Sequence, residues 1–256
     1  MICYHGVELA APRIDLARVF SGRDAMVSFA SPGALPIAAE VCRTVALDNG
    51  AFSAWRAGTP VTDWSDFYEW ARHWSRHPGV VWACIPDVID GNEADNDALL
   101  AEWPLPRFGM PVWHLHETLD RLERLAADYG RVALGSSGEY AVIGTAAWWA
   151  RFRTVMDVIC DDDGMPLVPF HGLRMLDPTL LAHIPFASAD STNVARNIGI
   201  DSRWRGTYTP ASKAVRALVI MDRIDAHAKA HRWAGTTGNQ LAFELLDCAQ
   251  AAEGAA

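Results

Sequence analysis

The residues with the most chemistry in this chain gather where short apolar runs end. Asp48-Asn49-Gly50-Ala51-Phe52 follows the run 44–47, and Pro86-Asp87 follows 80–85. The run 111–115 ends in His114-Leu115-His116-Glu117, and 131–134 leads into Gly135-Ser136-Ser137-Gly138-Glu139. His171-Gly172 follows 167–170, and Asp190-Ser191 follows 185–189. Two carboxylates on one rim invite a retaining glycosyl transfer: one attacks the anomeric carbon and the other shuttles the proton. Carboxylates suit this chemistry because the sugar centre becomes oxocarbenium-like and cationic. A third carboxylate, Asp87, suits the N1–H and 2-amino donors of a guanine-type edge. Phe52 is an aromatic that can stack on a base, and a glycine-rich turn at Gly135 lets backbone N–H groups approach a flat ligand.

Each feature has a plainer reading. A lone aspartate after a strand is more often a cap or turn former than a catalyst, and Asp87 in particular could cap a helix near Gly91. His114 or His171 alone would more often be a hydrogen-bonded structural histidine. The turn at 135–138 could be only a turn. Six polar turns converging on one rim is the argument for a site.

That convergence requires a particular frame. Eight candidate strands are 2–6, 26–30, 44–47, 80–85, 111–115, 131–134, 167–170 and 185–189. Between them lie helical stretches at 63–75, 93–103, 118–129, 146–160 and 212–232. In the first of these Trp64, Phe67, Trp70, Ala71 and Trp74 share one face, with Asp63 as its expected N-cap. Repeated strand–helix units imply parallel strands with right-handed crossovers. Eight units in 256 residues favour a single-domain α/β fold, the (β/α)8 or TIM barrel, whose chemistry sits at the C-terminal ends of its strands. No GxGxxG or GxxxxGK[ST] loop is present, which weakens a Rossmann or P-loop alternative. Asp161-Asp162-Asp163-Gly164 reads as a surface turn, and the tail from Gln250 as frayed.

Composition agrees with a packed globule: half the residues are hydrophobic, 21% are charged, and eleven tryptophans must serve as core or pocket walls. The net charge of -9 excludes a uniformly basic nucleic-acid binder. The charge is uneven, however. Residues 171–235 carry nine Arg/Lys against five Asp/Glu, leaving 13 against 26 for the remainder. Such a basic third could steer a polyanion to one face, although solvated helix faces give the same count. Five widely spaced cysteines without a CxxC argue against a disulfide framework or zinc knuckle and for a reducing cytoplasm. The first residues lack the pattern of a signal peptide, and no 18-residue apolar stretch exists, so no membrane association is expected.

The order of these motifs resembles the tRNA-guanine transglycosylase superfamily, whose members are (β/α)8 barrels. Asp48-Asn49-Gly50-Ala51-Phe52 is similar to the family's D-S-G-G-F/Y segment after the third strand, and Asp87 falls where the family reads its base after the fourth. Gly135-Ser136-Ser137-Gly138-Glu139 resembles a shortened form of the loop after the sixth, and His171-Gly172-Leu173-Arg174 lies at the seventh strand's glycine motif. Asp190-Ser191-Thr192-Asn193-Val194-Ala195-Arg196-Asn197 is similar to the segment after the eighth, at least two residues shorter. The resemblance covers roughly residues 1–210. It implies that Asp190 is the nucleophile at C1′ and Asp48 the general acid/base. It implies that Asp87 reads the base edge, with Asn49, Phe52, Gly135, Ser136 and His171 around the substrate. His114 or His116 lies near the family's glutamine, without a choice between them.

The family's tRNA enzymes carry a CxCxxC…H zinc site, and this chain has none. The resemblance therefore points to the zinc-less phage and bacterial enzymes that place 7-deazaguanine bases into DNA, with DNA favoured over tRNA and a free 7-deazaguanine base as co-substrate. No cofactor or metal is expected, and the location would be cytoplasmic, in the host if the gene is a phage's. A homodimer or an accessory protein is compatible with this reading. Nucleic acid is expected over Arg196, Arg203, Arg205, Lys213 and Arg216. The main rival is a metal-dependent, amidohydrolase-like barrel using His114, His116, His171 and Asp190. A third reading is a non-catalytic nucleic-acid-binding barrel.

Overall fold

The computed structural model describes residues 1–9, 11–199 and 208–234. Nine parallel strands form one sheet: β1 Ile2–Gly6, β2 Asp24–Ser28, β3 Thr44–Asp48, β4 Val80–Cys84, β5 Gly109–Met110, β6 Val112–His114, β7 Val132–Gly135, β8 Phe170–Gly172 and β9 Ser188–Ser191. Their order is β5-β4-β3-β2-β1-β9-β8-β7-β6. The two ends of this sheet, β5 and β6, are consecutive in the chain and separated only by Pro111. Proline has no N–H to give to a ladder. The fifth barrel strand is accordingly split: its first half pairs with β4 and its second with β7. Pro111 still accepts, its carbonyl taking the N–H of Ala133 at 2.9 Å. The result is a nearly closed, eight-position barrel of the TIM type, ringed by helices.

Inside the ring Tyr4, Met26, Ala46, Trp82, Cys84, Met110, Val112 and Ala133 pack together. The alternate residues of each strand face outward, onto the helices. Two apolar layers form there, one against the first half of the barrel and one against the second. The helix Ala146–Ile159 shows why: Trp148, Trp149, Phe152, Val155, Met156 and Ile159 recur at helical spacing and are all buried. Local signals set the helix ends. Asn92 and Asp95 make a reciprocal capping box on the helix Glu93–Glu102, and left-handed Gly130 ends the helix Leu119–Tyr129.

Several boundaries differ from those read in the sequence. β2 begins two residues early, at Asp24, because the Asp24 carboxylate is tied to Arg43 and to the Thr44 hydroxyl on the next strand. β8 and β9 each begin three residues late. Leu167 is 63% exposed and belongs to a connection that folds back to bond Ile159, so it is not strand interior. The helix expected at 63–75 spans Ser65–Trp74, and Asp63 lies outside its cap while accepting from the Ser65 N–H at 2.9 Å. The C-terminal helix spans Lys213–Asp225 and not 212–232. Beyond it the chain turns back: the N–H of Ala230 bonds the Leu181 carbonyl, and that of Trp233 bonds Gly164. Five short helices, Arg13–Phe20, Leu35–Val41, Ala51–Arg56, Pro178–Leu181 and Asn193–Asn197, were not expected from the sequence.

Among the described residues no helix is long and apolar enough to cross a membrane.

Candidate active site

At the C-terminal ends of the strands lies a cavity of about 300 Å3. Asp48, Asn49, Phe52, Asp87, His114, Gly135, Ser136 and Asp190 all line it, so the barrel gathers side chains separated by up to 142 positions in the chain. Its apolar wall includes Met26, Ile89, Val112 and Leu173.

Asp48 ends β3, and its carboxyl accepts from the N–H of Gly50 at 3.2 Å. Gly50 adopts φ +82°, the left-handed region that glycine enters without cost. A Cβ there would also lie 3.0 Å from the Ala30 nitrogen. This turn aims Asp48 into the cavity. Burial, and then the negative charges of Asp190 and Asp87, push its pKa up to about 7, against the lowering effect of the Ser28 hydroxyl and the Gly50 N–H. The group is partly open to the cavity but hemmed in by protein, so the direction follows from both causes.

Asp190 is the penultimate residue of β9 and is held differently. Its Oδ1 accepts the backbone N–H of Arg174 at 2.8 Å and lies 3.2 Å from His171 Nε2. The other His171 nitrogen, Nδ1, meets the Ser188 hydroxyl at 2.8 Å. His171 is fully buried against the edge of Trp82 and does not line the cavity; it orients Asp190 from behind. Arg174 is the one non-glycine with positive φ among the described residues, at +61°. That backbone conformation delivers its N–H to Asp190. Its guanidinium lies 3.8 Å from the centre of the Phe52 ring, a cation–π pair between two cavity residues.

Asp87 does not cap a helix; Asn92 does that. Asp87 Oδ1 accepts from Asn49 Nδ2 at 2.7 Å, and Oδ2 lies 2.8 Å from His114 Nε2. Asn49 also donates to the Ile85 carbonyl and accepts from the Ala51 N–H, so its amide is locked. Gly135 stands in register beside His114, and Ser136 accepts the Trp148 indole N–H at 2.8 Å.

His116 is not brought into the cavity. Its Nδ1 meets Ser137 and its Nε2 meets the Gly91 carbonyl, outside the lining. The choice left open between His114 and His116 thus falls to His114 on position. Of the residues that the metal-centre reading used, His114 and His116 stack with ring centroids 5.7 Å apart, and His171 bonds Asp190, while His114 and His116 bond Asp87 and Ser137. No group of three or more His, Cys, Asp or Glu placed to hold a metal ion occurs among the described residues.

The expected nucleic-acid segment receives one correction. Arg216 is 5% exposed, and its guanidinium donates to the carbonyls of Ile198, Pro210 and Ala211. It holds the chain together and offers nothing to a phosphate. Lys213 is exposed. Arg203 and Arg205 lie outside the described residues, as does the side chain of Arg196.

Sequence reading missed Arg174, Ser28 and Cys84. Arg174 acts through its backbone, which no residue type announces. Cys84 is a cavity residue whose thiol is held protonated by burial and by the carboxylates of Asp48, Asp87 and Asp190 around it.

No protein-family model, curated protein or solved structure matches the chain.

Proposed function

We propose that this barrel is a base-exchanging transglycosylase, replacing guanine in nucleic acid with a 7-deazaguanine base. The observation that carries the reading is the pair Asp48 and Asp190 on one cavity in unequal surroundings. Asp48, with a pKa of about 7, is poised to hold or release a proton near neutrality. Asp190, fixed by Arg174 and His171, is oriented for attack.

The target nucleotide leaves the stack and enters the cavity, as chemistry on a paired base requires. A carboxylate oxygen of Asp190 forms a bond to C1′ while the bond from C1′ to the base nitrogen breaks. The electron pair leaves with guanine, which takes the proton of Asp48. The incoming base then gives its ring N–H proton to the Asp48 carboxylate, attacks C1′ and expels Asp190. Asp87 and its neighbours receive the donor edge of the base.

DNA is favoured over tRNA because the chain lacks the cysteine–histidine zinc motif of the tRNA enzymes it resembles. The acidic body leaves backbone contact to residues near Lys213 and the preceding arginines. The protein, incubated with DNA carrying labelled guanine and a free 7-deazaguanine, should release label and incorporate the new base. Absence of release from DNA and from tRNA alike would remove the proposal.

A further inference from the structure

Asp87 and His114 stand on opposite sides of a seam in the barrel. β4 pairs with β5 at Ala83 and Cys84, and the Ile85 N–H reaches the Met110 carbonyl at 3.0 Å. Pro111 follows, and β6 then pairs with β7. Among the described residues no ladder joins the end of β4, which leads into Asp87, to β6, which carries His114. The 2.8 Å contact between Asp87 Oδ2 and His114 Nε2 spans this gap.

A second bridge of buried side chains spans it from behind. Asn96, on the helix Glu93–Glu102, accepts on Oδ1 the N–H of Val88, the residue after Asp87, at 2.7 Å. Its Nδ2 donates to Glu117 Oε1 at 2.8 Å. Glu117 Oε2 accepts the backbone N–H of His114 at 2.9 Å and Arg121 Nη1 at 2.7 Å. The bonds thus run from the backbone beside Asp87 to the backbone of His114. Asn96 is 2% exposed and Glu117 3%. Two more bonds cross nearer the surface, from the Thr118 N–H to Glu93 and from His116 Nε2 to the Gly91 carbonyl.

The bridge dictates its residue types. The Val88 N–H needs an acceptor and the Glu117 carboxylate a donor, so Asn96 must supply one of each, in a single orientation. Glu117 receives three donors on two oxygens, which an amide with one oxygen does not match. Burying such groups costs desolvation, and apolar packing in their place is often neutral or stabilising. Their use is explained by the geometry they impose. We infer that Asn96 and Glu117 are positioning residues, which fix the Asp87–His114 pair across the seam. On the base-exchange reading, on which this part rests, they set how tightly the base is held. Neither lines the cavity.

The test reverses the polarity of the bridge. Asn96→Asp sets two carboxylates face to face, and Glu117→Gln, in either amide orientation, sets two donors face to face. In the double variant Asn96→Asp/Glu117→Gln the new carboxylate accepts from Val88 and from the new amide, whose oxygen keeps the His114 and Arg121 donors. Each single variant should weaken equilibrium binding of labelled guanine about tenfold, the effect of one buried hydrogen bond lost. Each should also shift or lose the imidazole N–H proton signal of His114 in NMR spectra, assigned by its absence from His114→Gln. The double variant should restore that signal and bring guanine affinity back to within about threefold of wild type. Leu99→Ala, on the same helix, should lower Tm and leave both readouts unchanged. Should a single variant not fold, Asn96→Leu, uncharged and of similar volume, takes its place with the same expectation. Single variants that lower Tm yet keep the guanine affinity and the His114 signal would overturn the inference, as would a folded double variant no better than the singles. A wild type that binds no guanine and exchanges no base would overturn the base-exchange reading instead, and the His114 signal then decides the positioning role by itself.

Discussion

Asp48 and Asp190 share one side-chain chemistry and differ only in what surrounds them. Asp190 is pinned by a backbone N–H and an imidazole, whereas Asp48 sits where burial and two neighbouring carboxylates favour its protonated form. This has a consequence for stability. With its folded pKa raised from 3.8 to about 7, Asp48 keeps a proton in the folded chain that the unfolded chain releases across that interval. Stability from this group is thus full below the lower value and falls as pH rises toward the upper one. Urea unfolding at pH 4 and pH 8 should show wild type losing on the order of 2–4 kcal/mol more than Asp48→Asn between the two. Equal losses would mean that Asp48 is not held in a raised state. That Asp48, Asp87 and Asp190 meet on one cavity was legible from carboxylates following apolar runs. Arg174, by contrast, acts through a main-chain N–H at φ +61°, and nothing in an arginine code letter announces that.

At the scale of elements, the strands were legible because their residues are apolar on both faces, one packing inside the ring and the other against helices. The failures have physical causes. The run 167–170 is apolar in composition, yet Leu167 lies on a connection to Ile159, and long-range pairing decides that rather than local pattern. The short helices Ala51–Arg56 and Asn193–Asn197 span too few turns to display a period. Ala51–Arg56 nevertheless matters to the site, because the turn entering it places Asp48 and Asn49. Gly50→Ala should cost about 1–2 kcal/mol from the left-handed backbone alone, with a further clash at Ala30. It should also depress base exchange more than stability, since the Gly50 N–H that holds Asp48 would shift. Thermal unfolding combined with exchange rates separates these effects, and unchanged exchange at lower Tm would show that the turn only supports the fold.

For the whole molecule, the barrel solves a problem of assembly: a chain whose polar residues lie far apart presents them on one rim. Closure through a strand split at Pro111 keeps β5 on β4 and β6 on β7, and it is β6 that carries His114. Charge is distributed at the same scale. On the proposed function, nucleic acid would fall to the basic segment of this acidic chain, and the burial of Arg216 narrows that segment. Arg216→Ala should lower stability by about 2–3 kcal/mol through three carbonyls left without their donor. Lys213→Glu should leave stability unchanged, weaken DNA binding and reduce the slope of log affinity against log salt by about one. A salt-independent affinity would contradict the placement of the strand. The central claim is that Asp190 forms a bond to the sugar. Mixing the protein with guanine-containing DNA, quenching with acid before the incoming base is added, and mapping the adduct by mass spectrometry tests it directly. The account predicts a DNA adduct on the peptide bearing Asp190, lost in Asp190→Asn. An adduct on another residue, or label release by Asp190→Asn at the wild-type rate, would contradict it.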